Sequence, residues 1–312
     1  MSLDPSYLEY PKRRLGMDHD LYAYSNLFER PPVAWPSGAK VAAGVVVSLE
    51  WFPIIPSDTP FRAPGHMQTA YPDFRHYTAR EYGTRVGFFR LLDAFEARGI
   101  TATIAANSAI AERYPSIIAD IVAAGHEIVA HSTDMNGTIA SGLDEADERA
   151  LIATSLDTLE RVSGTRPSGW MSIARSESFN TPRLLAEAGV RYLADWVNDD
   201  LPYAMTTEGG PIWSVPVNHE LSDRWVISTQ AKSPDSYAEQ ILDARTWLVR
   251  EAGRFGGRFL PIHVTPYIIG LPYRIAAFEA LLDALVADDD VSFETLGAVV
   301  EAAEECGDVP NV

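Results

Sequence analysis

A continuous apolar run near the start of the chain constrains the fold more than any other feature of the sequence. Residues 41–49 read VAAGVVVSL, in which four of the nine residues are valine. Such a run is typical of a strand that is buried on both faces. From there onwards, strand-like and helix-like segments alternate about seven or eight times. The alternation predicts an α/β fold, in which helices pack outside a parallel sheet.

The alternation leaves two arrangements open, a closed barrel and an open, doubly wound sheet. No Gly-x-Gly-x-x-Gly motif follows the first predicted strand, and no Gly-x-x-x-x-Gly-Lys motif occurs in the chain. The two standard nucleotide-binding folds are therefore disfavoured. We predict a (β/α) barrel of about seven or eight strands.

The sequence predicts one folded domain with short extensions. Residues 1–40 are rich in proline, tyrosine and charge, so we expect an extended N-terminal arm there. Residues 41–305 form the predicted barrel domain, and residues 306–312 form a tail. Inside the domain, residues 53–80 carry five prolines and are predicted to be a long loop, while residues 81–98 have helical spacing. Long loops in compact domains are often functional.

Composition narrows the possible partners. The formal net charge of -18 repels phosphate backbones and argues against nucleic acid as a partner. No apolar run reaches the roughly 18 residues of a membrane span, and the first residues lack the pattern of a secretory signal. We therefore expect a cytoplasmic protein with no membrane partner. The single cysteine, Cys306, excludes an internal disulfide and a cysteine-based zinc site.

Polar side chains stand at or near the ends of the predicted strands, where barrel enzymes carry their catalytic groups. These residues are Glu50, His131, Arg175, Asp195 and His263. Each also has a structural explanation. A strand-end glutamate can cap a helix, a strand histidine can be a core residue, and Arg175 can simply pair with Asp195. As a set, they would bring carboxylate, imidazole and guanidinium groups to one barrel mouth.

Aromatic residues lie close to these positions in the sequence. Trp51, Trp170 and Trp196, together with Tyr267, are the predicted substrate-binding aromatics, although tryptophan is more often a packing residue. An apolar pocket of this kind would raise the pKa of Glu50 by desolvation and make it a better base.

Several stretches, taken in order, resemble the polysaccharide deacetylase (NodB-homology) superfamily over about residues 40–300. They are SLEW at 48–51, EYGTRVG at 81–87, GHEI at 125–128 running into His131, GW at 169–170 followed by Arg175, DDLPY at 199–203, and IGLPYR at 269–274. Within the superfamily, the chain looks most like the branch that contains the metal-independent allantoinase. The resemblance implies an irregular (β/α) barrel of the NodB type.

The resemblance also bears on cofactors. Classical deacetylases follow the first strand with two aspartates, a base and a metal ligand, and complete the metal site with two histidines. Here the aspartate positions hold Glu50 and Trp51, and the histidine positions hold His131 and Met135. Glu50 and His131 alone would not hold a divalent ion, so we expect no cofactor. The alternative is a metal such as zinc bound by Glu50, His131 and Asp134.

The last motif departs from the branch in a second way. The branch has a histidine where this chain has Thr265, and the histidine here is two residues earlier, at His263. Positions two apart in a strand face the same way. We therefore predict that His263 reaches the same pocket from about 7 Å deeper.

Together these features predict metal-free hydrolysis of a non-peptide C–N bond in a small linear or cyclic amide or ureide. Glu50 would take a proton from water, His131 and Arg175 would stabilise the oxyanion, and His263 would protonate the leaving nitrogen. Asp195 would orient a histidine or bind a substrate N–H. General-base assistance contributes only roughly 10²–10⁴-fold, so an oxyanion stabiliser is required as well.

Two other functions stay open from the sequence. One is a metal-dependent deacetylase of N-acetylated sugars, and the other is an inactive barrel that binds a sugar or a ureide through its tryptophans. The resemblance further implies a homo-oligomer.

Overall fold

The computed structural model describes residues 19–56, 72 and 74–306. The first 18 residues of the predicted arm, most of the predicted 53–80 loop, and residues 307–312 of the predicted tail lie outside this part of the chain. The division into arm, domain and tail stays a prediction. No helix in the described part is long and apolar enough to cross a membrane.

One sheet organises the fold. Its strands in the described residues are β1 (Val41–Leu49), β2 (Thr103–Ala106), β3 (Glu127–Ala130), β4 (Gly169–Trp170), β5 (Tyr192–Leu193), β6 (Tyr203–Thr207), β7 (Gly210–Ser214), β8 (Arg258–Val264) and β9 (Val291–Phe293). The order across the sheet is β6, β7, β5, β4, β3, β2, β1 and β8, and β9 pairs with β1. The strand pairs are parallel, except for β6 with β7.

The first strand, β1, has neighbours on both sides and is apolar on both faces. All residues of β1 are buried. The odd-numbered residues 41–49 pack into one apolar cluster, whereas Ala42 and Val46 pack into another. β8 pairs along one side of β1, while β9 and β2 share the other side. The predicted strand that is buried on both faces is confirmed.

The sheet curls but does not close. In the described part of the chain, the outermost strands β6 and β8 do not pair with each other. The predicted irregular (β/α) barrel is therefore confirmed as a half-barrel. Because β1 to β5 and β8 belong to one parallel set, their carboxyl ends meet at one edge, where open α/β sheets bind their ligands.

Helices connect the strands. They are α1 (Phe74–Tyr82), α2 (Phe88–Glu96), α3 (Ser108–Arg113), α4 (Pro115–Ala123), α5 (Glu145–Ser163), α6 (Thr181–Glu187), α7 (Pro234–Phe255), α8 (Pro266–Ile269), α9 (Ile275–Val286) and α10 (Leu296–Glu305). Two π-helical segments, Gly83–Gly87 and Arg224–Thr229, and one 3₁₀ turn, Ile173–Arg175, complete the helical elements of the described residues.

The predicted bounds of one loop and one helix were wrong. The predicted 53–80 loop ends early because α1 begins at Phe74, and the predicted 81–98 helix is divided among α1, a π-helical segment and α2. The glycines of this π-helical segment allow close packing on α8. A Cβ atom on Gly87 would collide with the carbonyl group of Pro266.

Candidate active site

A cavity of about 410 Å³ opens at the carboxyl edge of the sheet. This volume is typical of small-molecule sites. Glu50 follows β1, His131 follows β3, Arg175 and Asp195 follow β4 and β5, and His263 lies in β8; all five line the cavity. The structure therefore brings together the polar residues that stood at the predicted strand ends.

Glu50 is a buried carboxylate with both oxygens engaged. Oε1 accepts a hydrogen bond from Nη2 of Arg224 at 2.6 Å, and Oε2 accepts one from the hydroxyl of Tyr267 at 2.9 Å. Burial raises the pKa of Glu50, but Arg224, His131 and Tyr267 together outweigh burial and hold the pKa at about 2. The prediction that the pocket raises this pKa is wrong, and Glu50 is a weak base at neutral pH.

His131 directs its Nε2 atom towards Glu50. Its Nδ1 lies 2.5 Å from the carbonyl oxygen of Met171. Because a carbonyl only accepts, Nδ1 carries a proton, and the neutral tautomer of the ring therefore has its lone pair on Nε2. Nε2 is buried, has no hydrogen-bond partner in the described residues, and lies 3.8 Å from Oε1 of Glu50. A neutral imidazole in this setting can act as a base.

The turn that carries His131 is held by Asn107, which follows β2. The amide oxygen of Asn107 accepts the N–H of Trp51 at 2.8 Å, and its amide nitrogen donates to the carbonyl of His131. The next residue, Ser132, has a φ of 63°, a conformation that costs energy for a non-glycine residue and often marks a functional site. Asn107 therefore fixes the ends of β1 and β3 relative to each other.

Arg175 and His263 form a second hydrogen-bonded group. Nη2 of Arg175 donates to Nδ1 of His263 at 3.1 Å, and Nε donates to the carbonyl of Val217 at 3.0 Å. His263 Nδ1 is thus an acceptor, so Nε2 carries the proton and donates to the hydroxyl of Ser48 at 2.7 Å. Ala174 and Arg175 both have a φ of 54°, which turns the guanidinium back to the sheet.

The predicted role of His263 as an acid does not fit this arrangement. Both ring nitrogens are engaged, and burial, with Arg175 and Arg224, holds the pKa of His263 well below its ordinary value. The ring is therefore neutral at pH 7. Its predicted position is correct, because His263 lines the cavity, whereas Thr265 is fully buried and its N–H donates to Asp223.

Asp195 belongs to a pair of buried carboxyl groups. Its Oδ1 accepts the N–H of Ser172 at 2.6 Å, and Oε2 of Glu177 accepts Nε1 of Trp196 at 3.0 Å. Oδ2 of Asp195 and Oε1 of Glu177 are buried and have no hydrogen-bond partner in the described residues. Burial and the charge of Asp195 raise the pKa of Glu177 well above its ordinary value.

The aromatic residues predicted from the sequence do not line the cavity. Trp51 packs against Tyr77 and Tyr114, with ring centroids 5.8 Å and 5.7 Å away. Trp170 is fully buried in the core. Trp196 donates to Glu177, and Tyr267 donates to Glu50 from outside the cavity lining. The predicted tryptophan-lined mouth is therefore wrong.

The segment between β7 and α7 supplies the residues that sequence analysis missed. His219, Arg224 and Trp225 line the cavity, and the rings of His219 and Trp225 are 6.1 Å apart. Arg224 and Trp225 lie in a π-helical segment that no strand precedes directly. A search for polar residues at the ends of predicted strands therefore does not identify them. The segment also has no periodic pattern of apolar residues that would predict a helix or a strand.

The chain is similar to known proteins over most of its length. The family model for polysaccharide deacetylases matches residues 81–193. The crystal structure of the Puue allantoinase is 27% identical, with a TM-score of 0.81 over 92% of this chain and 99% of that chain. A probable polysaccharide deacetylase from Pseudomonas aeruginosa PAO1 is 26% identical, with a TM-score of 0.81 over 91% of this chain and 99% of that chain.

Residues 81–193 thus match a polysaccharide deacetylase domain, and the similarity to these two structures extends over about nine-tenths of the chain. A Schizosaccharomyces pombe protein whose name provisionally places it among the polysaccharide deacetylases is 22% identical over 296 residues, which are 86% of this chain and 91% of that protein. The family predicted from the sequence is confirmed, and the likeness to the allantoinase supports the predicted branch.

The metal site of classical deacetylases does not fit the residues present here. Trp51 is packed among aromatic rings, and Met135 lies in an apolar cluster with Phe52. Asp134 accepts the N–H of Asn136 within its own turn, and no group of three or more potential ligands occurs in the described part of the chain. The alternative set of Glu50, His131 and Asp134 therefore does not form one site.

Proposed function

We propose that this protein hydrolyses a non-peptide carbon–nitrogen bond of a small amide or ureide without a metal ion. The observation that carries the proposal is the buried Nε2 of His131, which has no hydrogen-bond partner in the described residues and lies 3.8 Å from Oε1 of the ionised Glu50 beside a cavity of about 410 Å³. The likeness to an allantoinase structure supports the same class of reaction.

The charges in the cavity favour a neutral substrate. Glu50 is paired with Arg224, and the charge of Asp195 acts on Arg175. The fixed charges are therefore balanced before a ligand enters. A compact ureide, with several N–H and C=O groups, could satisfy these polar side chains, and Trp225 supplies an apolar face.

His131 is the base in the proposed reaction. As the oxygen of water adds to the carbonyl carbon, one water proton passes to Nε2 of His131. Glu50, at 3.8 Å, stabilises the resulting imidazolium. When the C–N bond breaks, its electron pair goes to nitrogen, which takes the proton from His131. Glu50 thus acts by its charge, and His131 serves as base and then acid.

Arg175 is a fixed hydrogen-bond donor on the other side of the cavity. His263 and the carbonyl of Val217 fix its guanidinium, and the strained backbone at Ala174 and Arg175 sets its direction. A fixed donor is useful for an oxyanion because no reorganisation is needed during the reaction. His263 is in this scheme a positioning residue.

A direct test uses protein purified in the presence of a chelator. Cyclic ureides, including allantoin, linear ureido acids, imides and N-acetylated sugars are supplied as substrates, and metal content is measured on the same sample. We expect ureide or amide turnover without bound metal. Activity that disappears with chelator and returns with zinc or cobalt would support the metal-dependent deacetylase. Tight binding without turnover, unchanged in His131→Gln, would support the inactive barrel.

The predicted cytoplasmic location and homo-oligomer stay predictions. Cell fractionation tests the first, and the mass of the native protein in solution tests the second.

A further inference from the structure

Arg224 brings a permanent positive charge to Glu50. Its Nη2 lies 2.6 Å from Oε1 of Glu50 and 3.5 Å from the hydroxyl oxygen of Thr265. Its guanidinium carbon lies 5.8 Å from the centroid of the Tyr267 ring. Burial lowers the pKa of Arg224, but Glu50, Tyr267 and Asp223 outweigh burial and raise it. The guanidinium is therefore always charged.

The positive charge of Arg224 lies next to the position that the family pattern gives to a metal ion. The family pattern places a metal ion beside residues 51, 131 and 135, and two of these are Trp51 and Met135 in this chain. The carboxylate next to them in sequence, Glu50, is instead bonded to Arg224, which also lines the cavity. The chain has thus lost two ligands of a cation and has a cation of its own at the adjoining carboxylate.

We propose that the Arg224 guanidinium takes the place of the metal ion, as a fixed cation that holds Glu50 and polarises the carbonyl oxygen of the substrate. The proposal rests on the proposed function. It adds a catalytic residue that neither the strand ends nor the family motifs indicated.

The chemistry differs from that of a metal in one respect. During attack by water, the electron pair of the C=O bond moves onto oxygen, and a guanidinium N–H can stabilise that charge. A guanidinium cannot bind water and lower its pKa, as a metal does. A separate base is then required, and His131 provides one. The guanidinium itself gains and loses no proton.

The first test is chemical rescue. We expect Arg224→Ala to lower kcat by about 10²–10³-fold, and millimolar guanidinium chloride to restore a substantial part of it. Zinc should restore nothing. Arg254→Ala removes a surface arginine that lies over Phe28 and Phe255, and serves as the control. Arg224→Ala with kcat within about threefold of the wild type would overturn the proposal.

The second test does not depend on activity. Met135→His restores the second family histidine, and Met135→His with Arg224→Ala also removes the guanidinium. By calorimetry with zinc chloride, we expect the double variant to bind zinc at least about 100-fold more tightly than Met135→His alone, because the guanidinium excludes the ion. Equal zinc affinity in the two variants would show that Arg224 does not occupy the place of the ion.

The two tests distinguish a failure of the proposed function from a failure of the proposed role of Arg224. If no ureide or amide is hydrolysed by the wild type, the proposed function fails, and the zinc comparison still decides the place of Arg224. If the double variant does not fold, tight zinc binding by Met135→His alone overturns the proposal, and its absence, with guanidinium rescue of Arg224→Ala, supports it.

Discussion

Nε2 of His131 and Oε1 of Glu50 lie 3.8 Å apart, too far for a hydrogen bond and close enough for a strong charge interaction. The carbonyl of Met171 holds the opposite side of the imidazole ring. In the proposed reaction, this distance gives the two residues different roles, because His131 accepts a proton and Glu50 stabilises the charge that results.

His131→Gln should therefore lower kcat by about 10²–10⁴-fold, because the base is removed. The effect should appear in kcat more than in KM, and circular dichroism should show an unchanged fold. Met171→Leu is the control, since it retains the carbonyl that orients the ring. A His131→Gln enzyme with nearly normal kcat would return the role of base to Glu50.

Glu50→Gln should lower stability because it leaves the charge of Arg224 without its counter-ion. Breaking a buried pair costs about 3–5 kcal/mol, and we expect about 2–3 kcal/mol here because a fifth of the Arg224 side chain is exposed. Urea unfolding measures the loss. The double variant Glu50→Gln with Arg224→Met should regain part of it. If the double variant is less stable than the sum of the two single changes, the pair does not act as proposed.

Trp225→Ala should raise KM about tenfold with little change in kcat, because Trp225 lines the cavity and contacts no proposed acid or base. Steady-state kinetics on the best substrate of the panel tests this. Trp247→Ala is the matched control, since Trp247 is 57% exposed and lies on α7 away from the cavity. Equal effects in both variants would contradict a substrate contact for Trp225.

Asp223 should make the protein less stable as pH rises. Burial raises its pKa to about 7, against the N–H of Thr265 and the charge of Arg224. Between about pH 4 and pH 7, the folded state then holds a proton that the unfolded state has released, so stability falls as pH rises through this window. We expect Asp223→Asn to lose most of the difference in unfolding free energy between pH 5 and pH 8. The exposed Asp289→Asn is the control and should keep the wild-type difference.

The strand ends were predictable because a parallel sheet brings them to one edge. Glu50, His131, Arg175 and Asp195 each follow a strand of that set and meet there. The continuous apolar run at β1 was equally informative, since only a strand covered on both sides can be apolar throughout.

The prediction that the tryptophans line the cavity was wrong, and the alternation of side chains along a strand explains why. Neighbouring residues of an extended chain point in opposite directions. Trp51 follows Glu50 and Trp196 follows Asp195, so when the acid faces the cavity, the indole faces away. Tyr77 and Tyr114 receive the first indole, and Glu177 receives the second.

Two features were out of reach because they depend on contacts between distant parts of the chain. The pKa of Glu50 is set by Arg224, which is 174 residues later in the sequence. The gap between β6 and β8 is a property of the whole sheet. A local sequence pattern therefore predicts neither the pKa of Glu50 nor whether the outermost strands pair.

The segment between β7 and α7 has a consequence for how this enzyme could diversify. It carries His219, Arg224 and Trp225, whereas Glu50, His131 and His263 are anchored to β1, β3 and β8. In the proposed reaction, the apolar face for the substrate and the cation that balances Glu50 thus come from one short stretch, whereas the base His131 and its partner Glu50 follow strands of the sheet. A related protein with a different sequence in this stretch would have a different substrate preference and a different charge beside Glu50. The sheet that carries Glu50 and His131 would stay the same.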